Sequence, residues 1–211
     1  MNGGRTGTGD PIPALWRLPF ELAWEAFRAG SRPVGAVLYD ADGRVVAAGR
    51  NRAQETQAPP GQLAGTALAH AEINALAQLP SGRRWDGHRL HTTLEPCLLC
   101  SGALVHSHVR HVLYAAPDPL WHGIEDVPSV GGLIAARWAR REGPADGPLA
   151  AFGTLLMRLW AVRHTPEDLD DTVARTARRC LATVDGLLDA GSAQQAYDLL
   201  RPHLGPPDGT G

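Results

Sequence analysis

The chain of 211 residues contains no lysine: all twenty of its basic residues are arginine, set against twenty-two acidic ones for a formal net charge of −2. A surface built to hold nucleic acid through its phosphates carries a clear positive excess, so the overall balance calls for no such partner. No apolar run approaches the ~20 residues of a membrane-spanning helix. Met1 to Asp10 holds glycine and threonine but no apolar core, so it does not read as a secretory leader, and a cytoplasmic protein with no membrane partner is expected. Three cysteines are too few for a disulfide framework and fit a reducing compartment. One domain of ordinary size plus an appendage fits this length.

Two of those cysteines stand in Pro96-Cys97-Leu-Leu-Cys100, preceded in the chain by His70-Ala-Glu72. One imidazole and two thiolates are a donor set that suits Zn²⁺ and leaves its fourth tetrahedral position open, whereas structural zinc sites close all four. A C-x-x-C pair alone also serves redox couples and zinc knuckles. A carboxylate two residues from the histidine turns the set toward water activation.

The surrounding pattern places these residues. Pro19 to Ala29 reads as a helix with Phe20, Trp24 and Phe27 at helical spacing, ended by Gly30. Pro33 to Tyr39 and Arg44 to Gly49 are short apolar runs joined by Asp40-Ala-Asp-Gly43, a hairpin signal. A Pro/Gly/Gln-rich loop runs from Arg52 to Thr66. Ala67 to Leu79 reads as a helix with His70 and Glu72 in its first turns, Arg89 to Leu94 and Val109 to Ala115 as strands, and Cys97 to His106 as a helix. Cys97 then sits at a helix start, where free N–H groups favour thiolate, and Cys100 lies one turn on along the same face. Proline costs least at such a start. Glu142 to Pro148 is a linker by composition. Leu149 to Val162, Pro166 to Ala190 and Ala193 to Leu200 read as helices, with Cys180 in the apolar stripe of the second. Expected boundaries are a disordered leader over 1–13, a zinc-dependent domain over 14–141, a helical extension over 149–203 and a disordered tail over 204–211. The extension can pack on the core or on a partner subunit.

Ala69-His70-Ala71-Glu72-Ile73-Asn74-Ala75-Leu76 and Thr93-Leu94-Glu95-Pro96-Cys97 through His106 resemble the cytidine and deoxycytidylate deaminase superfamily. The branch in view holds tRNA adenosine deaminases, guanine deaminases and fungal cytosine deaminases. The resemblance runs from about Leu18 to Ala116. It implies an α/β fold, a three-layer α/β/α domain with a mixed central sheet, to which the helical extension is added. It further implies a homodimer, one Zn²⁺ per chain held by His70, Cys97 and Cys100, and Glu72 as the proton carrier of hydrolytic deamination. Asn51, at the end of the second strand, matches an asparagine that holds the base in such enzymes. Trp121, His122, Glu125 and Asp126 follow the last clear strand, in the loop that closes over the base in relatives. Glu95 reads as a hydrogen-bonding support, and His106, His108 and His111 as surface residues.

Two departures bear on substrate. The tRNA enzymes carry a Lys-Thr-Gly-Ala-Ala-Gly-Ser-like segment where this chain has the bulky, acidic Leu120 to Asp126, and the stretch from Asn51 to His70 is longer here. Phosphates approaching that rim would meet carboxylates. The expectation is therefore a free nucleobase or nucleoside, purine ahead of pyrimidine, as the small-molecule partner. The alternatives are a tRNA adenosine deaminase and a non-catalytic zinc-stabilised module.

Overall fold

A computed structural model describes residues 10–165, 172–189 and 191–204. The expectations for residues 1–9, for the helix start over 166–171, for Ala190 and for the tail from residue 205 lie outside the described residues. Within them, Ile12 is 1% exposed and belongs to the core, so order begins before the end expected for the leader.

Helix α1 (Ala14–Arg28) buries Phe20, Trp24 and Phe27 on one face. It ends on Gly30, whose φ of +81° suits a residue without Cβ, while the Ser31 N–H returns to the Ala26 carbonyl at 2.9 Å. Strands β1 (Gly35–Tyr39) and β2 (Val45–Arg50) form the expected antiparallel hairpin. Its turn is tied by Asp40 Oδ1, which accepts from the N–H groups of Asp42 and Arg44. Helix α2 (Ala71–Leu76) is followed by β3 (Arg89–Leu94), α3 (Leu98–Ser107) and β4 (His111–Ala116). A 3₁₀ turn at Pro119–Trp121 and a second over Ile124–Val130 lead to α4 (Gly132–Arg137) and a short strand β5 (Arg140–Glu142). Helices α5 (Pro148–His164), α6 (Thr172–Asp185) and α7 (Ala193–Leu200) complete the chain.

The sheet runs β2-β1-β3-β4-β5, antiparallel across β2-β1-β3 and parallel across β3-β4-β5. It is the mixed sheet of the expected α/β fold. β5 has no sequence counterpart above: Arg-Arg-Glu carries no apolar alternation, and pairing with β4 alone makes it a strand. One apolar cluster joins α1 to α5, α6 and α7 through Phe20, Trp24, Phe152, Leu156, Leu159 and Tyr197. A second packs α2 and α3 against Ala36, Leu38, Leu90 and Val112. The extension therefore supplies the helical layer opposite the metal-bearing helices. Cys180 lies in that layer, 3% exposed.

Helix α2 is shorter than expected. The Ala69 carbonyl is taken by the Arg52 N–H at 3.0 Å, and the Ala69 N–H turns back to the Thr66 carbonyl, so residues 67–69 cannot join the helical ladder. His70 becomes the extended residue preceding the helix, with φ −71° and ψ 154°. α2 lies so close to β2 that a Cβ on Gly49 would stand 2.5 Å from the Ala75 nitrogen. Fully buried Asn74 ties the long loop down: its Oδ1 accepts from Leu63 N–H at 2.7 Å, and its Nδ2 donates to the Arg50 and Leu63 carbonyls.

Candidate metal centre and substrate pocket

Both parallel strands of the central pair end at the same edge, and the chain leaving each end builds the site. After β3 come Glu95, Pro96 and Cys97, the last in extended conformation just before α3. Cys100 follows one turn later, and His70 enters from the start of α2. His70 Nδ1 stands 3.6 Å from Cys97 Sγ and 3.4 Å from Cys100 Sγ, with 3.5 Å between the two sulfurs. A tetrahedral zinc with ordinary bond lengths requires edges of about 3.6 Å (N···S) and about 3.8 Å (S···S). The triangle is already close to those edges, and among the described residues it is the one His/Cys/Asp/Glu group spaced to hold a metal ion. His106 is exposed and His108 ends α3 in the left-handed region, in keeping with a surface reading.

Proton affinities in the triangle are coupled. Cys97 is pushed down to about 4, first by its hydrogen bond with the Cys100 thiol and also by His70. Cys100 is pushed up by the same bond and by burial. His70 is raised, chiefly by its hydrogen bond to Cys97. Two sulfurs and an imidazole sharing protons at these distances form a set a soft divalent cation can discharge.

Glu72 is 3% exposed and lies beside the triangle, with Oε2 3.4 Å from Cys100 Sγ. The Thr92 hydroxyl donates to its other oxygen at 3.0 Å, which fixes the carboxyl plane. Burial raises its pKa, so the group holds a proton more readily than a surface glutamate.

A cavity of about 330 Å³ opens at the same edge, lined by Glu95, Asp118, Trp121, His122 and Glu125 together with Pro117 and Pro119. That is the small end of the range of ligand pockets. Trp121, His122 and Glu125, expected from sequence, thus line one cavity, whereas Asp126 is exposed and absent from its lining. Asn51 is 3% exposed at the end of β2, its N–H bound to Val34 O and its Oδ1 accepting from Ala53 N–H.

Asp118 of the pocket and Arg141 behind it were missed by sequence reasoning. Asp118 follows β4 by two residues, caps the next turn by accepting from Leu120 N–H, and is raised in pKa by burial. Its position before Pro119 at a strand end was the available signal. Glu95 accepts from Asp118 N–H at 3.1 Å and from Arg141 Nη2 at 2.8 Å. Arg141, from β5, also donates to Ser101 Oγ and Pro96 O, so it holds the Pro-Cys turn and the pocket loop together. Glu95 is a support, as expected, and its charge is neutralised from behind.

Comparison with known proteins agrees with this geometry. The family model of the cytidine and deoxycytidylate deaminase zinc-binding region matches residues 13–116. The chain is 31% identical over 104 residues to a tRNA-specific adenosine deaminase of Rickettsia felis, covering 47% of this chain and 67% of that protein. It is 32% identical over 162 residues to a tRNA(Ile)-lysidine synthase of Deinococcus radiodurans, covering 74% of this chain but 26% of that protein. A solved structure of a mutant of the protein NE0047 in complex with 8-azaguanine superimposes with a TM-score of 0.51 at 26% identity, covering 71% of this chain and 85% of that one. Lengths spanned in the curated relatives thus run from about a quarter to two thirds.

Proposed function

The chain belongs to the cytidine and deoxycytidylate deaminase zinc-binding family, and on that premise we propose that it is a hydrolytic deaminase of a free aminated nucleobase or nucleoside, a purine ahead of a pyrimidine. The observation that carries the reading is the buried Glu72 carboxyl beside a three-ligand triangle, at the same sheet edge where a cavity lined by carboxylates and an aromatic ring opens.

His70, Cys97 and Cys100 hold the metal, and Zn²⁺ when bound there supplies the Lewis acidity that makes water nucleophilic near neutral pH. Glu72 Oε takes a proton from the attacking water and delivers it to the ring nitrogen next to the reacting carbon. A carbon–oxygen bond forms; the new hydroxyl then gives its proton to Glu72 as it becomes a carbonyl, Glu72 passes that proton to the amine, and the carbon–nitrogen bond breaks to release ammonia. Thr92 keeps the carboxyl aimed, and burial lets it retain the proton between the two transfers. Trp121 offers a face for the base, and the carboxylates of Asp118 and Glu125 accept from its amino or ring N–H groups.

Glu72→Gln tests the chemistry. Zinc content and unfolding midpoint are expected to stay near those of the parent while the rate falls about 10² to 10⁴-fold, the usual contribution of a general acid–base group. Near-parental turnover in Glu72→Gln sinks the mechanism. Ammonia release from guanine, adenine, cytosine, their nucleosides and a tRNA transcript tests the substrate. A second reading, a tRNA adenosine deaminase, is favoured by the tRNA-acting names of both sequence relatives above. Turnover of the transcript alone, steeply weakened by salt, selects it.

A further inference from the structure

The register of the sheet brings four chain segments to one edge. Gly35, the first residue of β1, pairs with Arg50 at the end of β2, and its N–H donates to Thr93 Oγ1 near the end of β3. Leu94 of β3 pairs in turn with Ala116, the last residue of β4. Past this edge lie Asn51, Cys97 and Asp118, and on the β1 side Arg32.

Arg32 is an exposed side chain on a held backbone, flanked by buried Ser31 and Pro33. Its guanidinium lies 5.0 Å from the ring centroid of Trp160, on α5. Trp160 is itself anchored, its indole N–H donating to the Gly30 carbonyl at 2.9 Å. Among the described residues the Arg32 side chain makes no hydrogen bond and no ion pair, so the N–H groups at the edge of the stacked guanidinium face solvent. The Arg32 backbone reaches the site: the Val34 N–H donates to the Arg32 carbonyl at 2.7 Å, and the Val34 carbonyl accepts from the Asn51 N–H at 2.9 Å. The cavity lining carries Asp118 and Glu125. The edge thus carries carboxylates suited to the donors of an aminated base and, on its β1 side, a cation with no hydrogen bond or ion pair among the described residues.

Resting on the deaminase reading above, we propose that Arg32, pinned on Trp160, is a phosphate-binding residue that recognises the phosphate of a nucleotide whose base enters the pocket. A guanidinium presents paired donors to phosphate oxygens, and stacking on an indole removes the rotamer freedom it would otherwise lose on binding. The C-terminal helices then take part in substrate recognition through Trp160. The phosphate has two sources, a nucleoside 5′-monophosphate or the backbone of an RNA strand, and the same chemistry serves both.

The test titrates zinc-loaded Glu72→Gln protein with adenosine, guanosine and cytidine, with their 5′-monophosphates, and with a tRNA anticodon stem-loop. The expected result is that at least one monophosphate binds about 10- to 100-fold tighter than its nucleoside, the range of a charged hydrogen-bonded contact. Adding Arg32→Gln abolishes that gap while nucleoside binding stays put, Arg32→Lys keeps part of it, and Trp160→Phe narrows it. A gap that appears with the stem-loop alone assigns the phosphate to RNA. Equal binding of nucleoside and phosphorylated forms, or a gap that survives Arg32→Gln, overturns the proposal. Ammonia release by the parent, followed on the same compounds, separates the two readings. Tight, Arg32-dependent phosphate binding without ammonia release removes the deaminase reading alone. Release from nucleosides with no phosphate preference removes the Arg32 site alone.

Discussion

The two faces of the sheet are packed by different rules. On the α1/α5 face, Phe20, Trp24, Phe152, Leu156 and Leu159 are at most 1% exposed, and large side chains interdigitate between helices and strands. On the α2 face alanines recur among the buried residues where α2 meets the sheet (Ala36, Ala47, Ala71 and Ala75), and α2 approaches β2 closely enough to exclude any Cβ at Gly49. Large side chains bury more apolar area, so the first face supplies most of the stability. Small ones let backbones approach, which short ligand side chains need if three of them are to meet within 3.6 Å. Stability and metal geometry are thereby drawn from opposite sides of one sheet.

The largest effect expected is at the metal itself. Cys97→Ala removes one of three ligands and should take zinc from one per chain to nearly none, lowering the unfolding temperature because the ligands join two helices. Zinc analysis of the purified variant decides it, and full occupancy would break the ligand assignment. On the other face, Phe152→Ala leaves a cavity under α1 and should cost about 3–5 kcal/mol in urea unfolding, with the zinc content of the folded protein unchanged. Zinc loss at temperatures where Phe152→Ala is still folded would show that the faces are not separable. Gly49→Ala sharpens the contrast. Its methyl would lie 2.5–2.7 Å from backbone atoms of α2, so the helix must shift, at a stability cost of about 1–3 kcal/mol. Its zinc affinity, measured by chelator competition, should nonetheless fall further than that of Phe152→Ala.

The effect that is smallest at neutral pH is a pH dependence. His91 of β3 is 3% exposed against Trp16 and Tyr39, and burial, with His111 and Arg89 nearby, lowers its pKa from 6.5 to about 4. Between those values the unfolded chain binds the proton more readily than the folded one. Stability therefore stays full above pH 6.5 and is lost as pH falls toward 4, by up to about 3 kcal/mol at 1.36 kcal/mol per unit. Melting curves of the parent and His91→Phe between pH 4 and 7 check it, and parallel pH profiles would rule it out.

Legibility in the sequence followed distance along the chain. Cys97 and Cys100 are one helical turn apart, and His70 and Glu72 two residues apart, so their pairwise placement is local and their types carry the chemistry. The β1–β2 hairpin was readable because its turn residues satisfy their own backbone. The start of α2 was misread because the competitor for its hydrogen bonds, Arg52, lies well back in the loop and no local signal marks it. β5 was missed because three charged residues become a strand through pairing with β4. Asp126 was grouped with Trp121, His122 and Glu125 by adjacency, yet the 3₁₀ turn over Ile124–Val130 leaves it out of the cavity lining.

By itself the sequence determined the donor set, the carboxylate beside it and the turn and helix starts that carry them, since each depends on neighbours within a few residues. Tertiary structure alone decided what surrounds that set. Arg141 reaches Glu95 from 46 residues away, Trp160 on α5 meets Arg32 before β1, and α5 closes the core that α1 leaves open. The physical reason is that a salt bridge, a cation on a ring or a packed helix pair leaves no periodicity in the chain. Such contacts come into being only when burial of the apolar faces brings distant residues together.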